Sequence, residues 1–342
     1  MTKRLAVVMV LGGMLVMGAA AVAQEQQAVE PPAPMLNDLT PTLNPSSPFP
    51  PVDATRFTAT FPTVDTVTAF LKQLWGYDAN RVFQVAAIMK TESALVSRVV
   101  VMVAQKGDTP DKVNMTSFLV LEDGRHGISG DTLFDFGPTP FEEKRALLQA
   151  KSAGPAHGAA GKDLMLVEFA DFQCPHCKDG QETMDKLTKD YPTARVVYQN
   201  FPLPQHNAAL DAALYSVCVA KLKPENDNAA FQTYAREVFA NQADLTAEKM
   251  KATLDAAVVK AGLDAEHVAA CTKSQEMKDA VAASKALGEA AGVQSTPTLF
   301  VNGRPIPLTS MPYNTLKDVI NYQAQLDGIK LPVVATETPA AK

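Results

Sequence analysis

The stretch Leu164-Met165-Leu166-Val167-Glu168-Phe169-Ala170-Asp171-Phe172-Gln173-Cys174-Pro175-His176-Cys177 decides how the chain is read. Its first half, Leu164 to Phe169, is apolar except for Glu168, the pattern of a buried strand. Its second half turns into a helix that runs to about Lys189, with Cys174 at the start and Cys177 in the first turn. Two thiols separated by two residues at a helix start can close into a disulfide and reopen. Free backbone N–H groups and the positive end of the helix dipole favour the Cys174 thiolate, a charged His176 adds to the effect, and thiols so placed have pKa values of roughly 3.5–7.5. Such a sulfur leaves readily, which favours passing the disulfide on to another molecule.

Other uses of Cys-x-x-Cys fit the chain less well. A zinc knuckle needs a second pair of ligands, and the remaining cysteines, Cys218 and Cys271, stand apart from each other. Haem attachment needs histidine after the second cysteine, where this chain has Lys178. No metal is expected.

Downstream, a strand around Ala194 to Tyr198 leads into a helical stretch from His206 to about Ala291. A strand at Thr298 to Val301, a turn at Asn302-Gly303, a strand from Arg304 to Pro307 and a helix from Pro312 to Leu326 complete the order β-α-β, helical insertion, β-β-α. Val167 to Cys177, the segment Phe201-Pro202-Leu203-Pro204-Gln205-His206, and Ser295-Thr296-Pro297-Thr298-Leu299-Phe300-Val301-Asn302-Gly303 together closely resemble the DsbA-like thiol:disulfide oxidoreductases of the thioredoxin superfamily, over about residues 163–328.

The resemblance implies a thioredoxin-like fold with a helical insertion at 206–291. Cys174 would be the nucleophile and Cys177 the resolving thiol, with their disulfide the only redox group and no separate cofactor. Glu168 matches a buried acid that exchanges a proton with Cys177, a role suited by a pKa raised on burial. Thr296-Pro297 matches a cis bond lying against the site, with Thr296 presenting its backbone to the substrate chain, and Pro175 is read as a further substrate contact. His206 matches a histidine of the family, and a helix-capping or packing role is expected for it.

Cys218 and Cys271 can pair with each other. Closing a loop of about 54 residues contributes around 4 kcal/mol in the chain-entropy model. Two buried free thiols are the alternative, and a disulfide is the expectation in an exported chain.

Export is read from the beginning of the sequence. Lys3 and Arg4, the apolar run Leu5 to Met17 and Ala21-Val22-Ala23 form a signal peptide over residues 1–23, which implies a periplasmic location; an uncleaved anchor is the alternative. Residues 24–53 are a proline-rich disordered linker. The 342-residue chain has a formal net charge of −6, which argues against nucleic acid as a partner.

Residues 54–151 form a small α+β N-terminal domain. A helix carries Asp65 in its opening turn and Val67, Phe70, Leu71 and Leu74 at helical spacing, and ends at Gly76. Strands follow at Arg81–Met89, Ser97–Ala104, Met115–Leu121, His126–Ser129 and Thr132–Phe136, then a helix capped by Thr139, with Pro140 in its first turn. Residues 152–162 are read as a flexible linker and 329–342 as a disordered tail. His126 is read as a solvated turn residue, and His157 is given no role.

The fold class is therefore α/β, a thioredoxin-like fold with a helical insertion, preceded by a small α+β domain. The expected function is an exported thiol:disulfide oxidoreductase that forms disulfides in unfolded or reduced secreted proteins and depends on an unidentified redox partner. Two alternatives are a dimeric isomerase or reductase whose N-terminal domain joins two copies, and a redox-independent chaperone.

Overall fold

The computed structural model describes residues 47–331. The signal peptide, the linker up to residue 46 and the tail from residue 332 lie outside the described residues.

Helix α1 (Val64–Trp75) begins at Thr63, whose hydroxyl accepts the Thr66 N–H at 3.1 Å, and turns Val67, Phe70 and Leu71 inward. It packs on an antiparallel sheet of β1 (Arg81–Lys90), β2 (Val96–Gln105), β3 (Asn114–Leu121), β4 (His126–Ser129) and β5 (Thr132–Asp135), paired in chain order. Helix α2 (Glu142–Lys151) starts two residues later than Pro140 predicts. Thr139 supports it through its carbonyl, which accepts the Glu142 N–H at 3.2 Å, and not through a side-chain cap.

The second sheet has the order β10-β9-β7-β8-β6. Strand β7 (Met165–Ala170) lies parallel to β8 (Arg195–Asn200) and antiparallel to β9 (Thr298–Val301), which turns through Asn302 and Gly303 into β10 (Arg304–Ile306). Both turn residues have positive φ, 45° and 86°, as a two-residue hairpin requires.

Residues 152–162 differ from the linker reading, because β6 (Ala156–Gly158) pairs antiparallel with β8 and closes the sheet edge. Gly154 lets the backbone come this close: a Cβ there would lie 1.8 Å from the Tyr198 carbonyl oxygen. Small residues therefore mark close packing here. His157, on this strand, is half-buried and lies 3.3 Å from the Thr188 hydroxyl.

Alternation along β7 sorts its side chains to two faces. Met165, Val167 and Phe169 pack with Leu148 of α2 and Leu287 of α8 (Gln275–Ala291). Leu166 faces α3 (Pro175–Asp190) and α9 (Tyr313–Leu326). Glu168 shares the α3 side with Leu166, so an acid in this strand lies beneath the start of α3.

The insertion comprises α4 (Ala209–Leu222), α5 (Glu225–Ala240), α6 (Met250–Lys260), α7 (Ala265–Cys271) and α8. Its core is continuous with Phe172, Cys174, Cys177 and Tyr198. Cys218 and Cys271 are bonded within it, tying α4 to the end of α7. Among the described residues no helix is long and apolar enough to cross a membrane.

The first sheet and α1 meet the second sheet through a buried arginine. Arg304 of β10 donates to the carbonyls of Gln73 and Leu74 at the end of α1, to Gln323 Oε1 at 2.9 Å, and stacks 4.3 Å over the Phe141 ring. Burial lowers its pKa to about 10, yet it stays cationic at neutral pH, and α1's terminal carbonyls suit a cation.

Candidate active site

Cys174 caps α3 with extended backbone (φ −75°, ψ 121°), Pro175 occupies the first helical position, and Cys177 follows one turn on. The Cys174 carbonyl accepts the Cys177 N–H at 3.1 Å, and the cysteines are unbonded thiols. Both are buried, Cys177 completely.

The two sulfurs differ in what they touch. A hydrogen bond from the Cys177 thiol is the largest effect on Cys174, lowering its pKa to about 5 against the opposing cost of burial, with help from the Thr296 hydroxyl and the N–H groups of Cys177 and His176. The Thr296 carbonyl also lies 3.4 Å from Cys174 Sγ, and the Thr296 hydroxyl has no partner among the described residues in the dithiol form, leaving it free to donate to a thiolate. Cys177 moves the other way: burial pushes its thiol far up, opposed only by the Asp171 N–H, 3.4 Å from its sulfur. One sulfur is held ready as thiolate while the other keeps its proton.

His176 acts differently from the expectation. Its imidazole is 73% exposed and lies 3.9 Å from Asp179 Oδ2, so its contribution to Cys174 comes from its backbone N–H. Solvent and a neighbouring carboxylate both screen the ring.

Glu168 is buried with Oε1 unpaired, and desolvation raises its pKa to about 8. Its register neighbour on β8 is Tyr198, whose buried hydroxyl, like Glu168 Oε1, lacks a partner among the described residues. The Thr296–Pro297 bond is cis, and Gly180 of α3 faces Pro297: a Cβ added there would stand 3.6 Å from the proline ring. Pro175 is exposed at the head of α3.

Four residues hold the loop. Asp171 accepts from the Gln173 N–H at 2.7 Å and the Leu203 N–H at 2.8 Å, and lies 2.8 Å from His206 Nδ1. His206 therefore sits in a turn three residues before α4 and anchors the loop, where a helix start was expected. Gln242, from the insertion, donates to the carbonyls of Phe172 and Cys174, both at 2.9 Å. Gln173 accepts the Ala208 N–H at 2.7 Å. Asp171 and Gln173 lie inside the stretch that identified the cysteines and could have been read as turn formers; nothing local in sequence marks Gln242. Among the described residues no group of three His, Cys, Asp or Glu side chains is arranged to hold a metal.

A mixed sheet with a dithiol at the start of its first long helix, opposite a cis-proline, defines a thioredoxin-like protein. The family described as Thioredoxin (Thioredoxin_4) matches residues 151–322, half of the chain, and the chain belongs to it. The helical insertion and Cys-Pro-His-Cys put it with the DsbA-like members.

The chain is similar to the Na(+)/H(+) antiporter NhaA 1 of Mycolicibacterium vanbaalenii, 32% identical over 144 residues covering 41% of this chain and 22% of the antiporter. It thus spans about a fifth of the length of those curated relatives. It is also similar to the probable disulfide bond formation protein D of Bacillus cereus, 26% identical over 171 residues, covering 47% of this chain and 76% of the relative. Among solved structures, oxidised BdbD from Bacillus subtilis aligns at 22% identity with a TM-score of 0.44, covering 50% of this chain and 93% of that one.

Proposed function

We propose that the chain is an exported thiol:disulfide oxidoreductase that forms disulfides in reduced secreted proteins. The observation that carries this reading is the asymmetry of the two thiols, Cys174 lowered to about 5 and Cys177 kept protonated above an unpaired buried acid. A dithiol whose outer sulfur is stable as thiolate holds its disulfide weakly and gives it up readily.

In the oxidised protein a substrate thiolate attacks Cys174 Sγ, the Cys174–Cys177 bond breaks, and Cys177 leaves with the electron pair and takes a proton. Glu168, protonated up to about pH 8, supplies that proton. A second substrate thiolate then attacks the substrate sulfur of the mixed disulfide and expels Cys174 as thiolate. The substrate loses two electrons and both thiol protons, and the protein is left reduced, with Cys174 as thiolate, Cys177 as thiol and Glu168 regaining its proton from solvent. A separate oxidant, itself a disulfide or another two-electron acceptor, must restore the bond.

Export rests on residues 1–23, and the acidic chain suits protein substrates over nucleic acid. The test is oxidation of a reduced, unfolded protein with oxidised glutathione as acceptor. The wild-type chain is expected to accelerate it; a rate equal to that of glutathione alone would overturn the reading. Solution size separates this reading from a dimeric isomerase, in which residues 54–151 would join two sites.

A further inference from the structure

A cleft of about 860 Å³ lies between the small sheet domain and the redox domain. Its redox wall contains His176 and the run Gln294 to Thr298, which includes the cis-proline; its far wall contains Phe70, Phe118 and the whole of β5. Thr132, Leu133, Phe134 and Asp135 all line it. A strand seen face-on would offer alternate residues only, so four in succession mean that β5 turns its backbone edge to the cleft.

Among the described residues that edge is unpaired. β5 ends the sheet, with β4 on its other side. The two-residue turn Gly130-Asp131 makes Ser129 and Thr132 a hydrogen-bonded pair, and alternation makes Gly127 and Phe134 another. The Phe136 N–H donating to the Arg125 carbonyl at 2.7 Å continues the same series. The N–H and C=O groups of Leu133 and Asp135 therefore point outward. At the opposite edge of the sheet, β1 is partly covered, since Thr58 and Ala59 donate to the Ile88 carbonyl. A bare edge carrying a leucine that is 61% exposed is a pairing template, and here it opens into the cleft whose other wall carries His176, Thr296 and Pro297.

We propose that β5 receives an extended, apolar, cysteine-containing segment of a reduced polypeptide as an added strand, and so selects unfolded chains for Cys174. The occupant's chemistry follows from the site. The cleft is continuous with Thr296 and Pro297, and the Thr296 carbonyl lies 3.4 Å from Cys174 Sγ, so whatever fills the cleft to react must bring a thiol there. The Phe70, Phe118 and Phe134 wall takes apolar side chains, and the free edge demands an extended backbone. A folded domain cannot supply both. The inference rests on the redox reading above and assigns the small domain a substrate-selecting role in the same chain.

The test uses the full chain, oxidised at Cys174–Cys177, in single turnover with a reduced two-cysteine apolar peptide and, separately, with dithiothreitol. Leu133→Pro removes an outward N–H without touching the ladder to β4. The ratio of peptide to dithiothreitol rate is expected to fall about tenfold, the loss of about one net hydrogen bond. Wild-type protein is also given peptides N-methylated at odd or at even positions, a comparison independent of any mutant's folding. One series is expected to react about tenfold more slowly and the other like the parent. Equal rates for both series and the parent overturn the proposal. So does an unchanged rate ratio in a Leu133→Pro chain that turns from dimer to monomer, since the edge would then belong to a second copy. A wild-type chain that fails to oxidise dithiothreitol is a different result, and defeats the redox reading itself.

Discussion

Cys174–Cys177 and Cys218–Cys271 lie in one continuous core, yet their surroundings give them opposite characters. The first pair spans two residues at a helix start, with backbone N–H groups, the Thr296 hydroxyl and a buried carboxyl close by. The second spans 53 positions and fastens two helices, with Cys218 wholly buried. Reactivity here comes from the groups that stabilise one thiolate. Fastening comes from the length of chain enclosed.

Exchanging the roles by mutation is the strongest challenge to that contrast. Cys174→Ser should reduce thiol oxidation to the uncatalysed rate with little change in the unfolding midpoint. Cys218→Ala with Cys271→Ala should do the reverse, costing up to about 4 kcal/mol in denaturant unfolding while the exchange rate per folded molecule persists. Loss of exchange in the folded double variant would break the comparison.

Glu168 sharpens it through pH. Its folded pKa of about 8 lies above the ordinary 4.5, so between these values the native protein keeps a proton that the unfolded chain has released. Stability therefore falls as pH rises through that window, by at most about 1.4 kcal/mol per unit. Glu168→Gln should raise stability by about 2–4 kcal/mol at pH 8, fading to nothing near pH 4.5, and should slow exchange about tenfold or more. Urea unfolding at several pH values checks the first effect. A pH-independent gain would place the carboxyl in water.

A smaller effect concerns Cys174 alone. The Cys177 thiol is the main hydrogen-bond donor to it, so Cys177→Ala should move the midpoint of Cys174 alkylation up from about pH 5, and Cys177→Ser, which keeps a donor, should move it less. Smallest is Gln242→Ala, which frees the Phe172 and Cys174 carbonyls from the insertion; a two- to fivefold slower exchange, about 0.4–1 kcal/mol, is expected in single turnover.

Much of this was legible in sequence where local chemistry dictates local form. The apolar run into β7, Pro175 opening α3 and the Asn302-Gly303 hairpin each carry their own instruction. What escaped depends on distant partners. Residues 152–162 look like a linker because glycine and alanine serve both flexibility and close packing, and only the approach of Gly154 to Tyr198 separates the two. The side-chain direction of His176 and the hold of Gln242 on the redox loop follow from packing that no spacing records. The cleft escaped for the same reason, since β5 and the cis-proline loop lie more than 150 positions apart and meet only through docking.

The most direct test of the central claim, that the chain is built to give its disulfide away, is the reduction potential of Cys174/Cys177 equilibrated against glutathione. A stabilised Cys174 thiolate predicts a potential more positive than about −180 mV, and a value near −270 mV, the reducing range of thioredoxin, would contradict it.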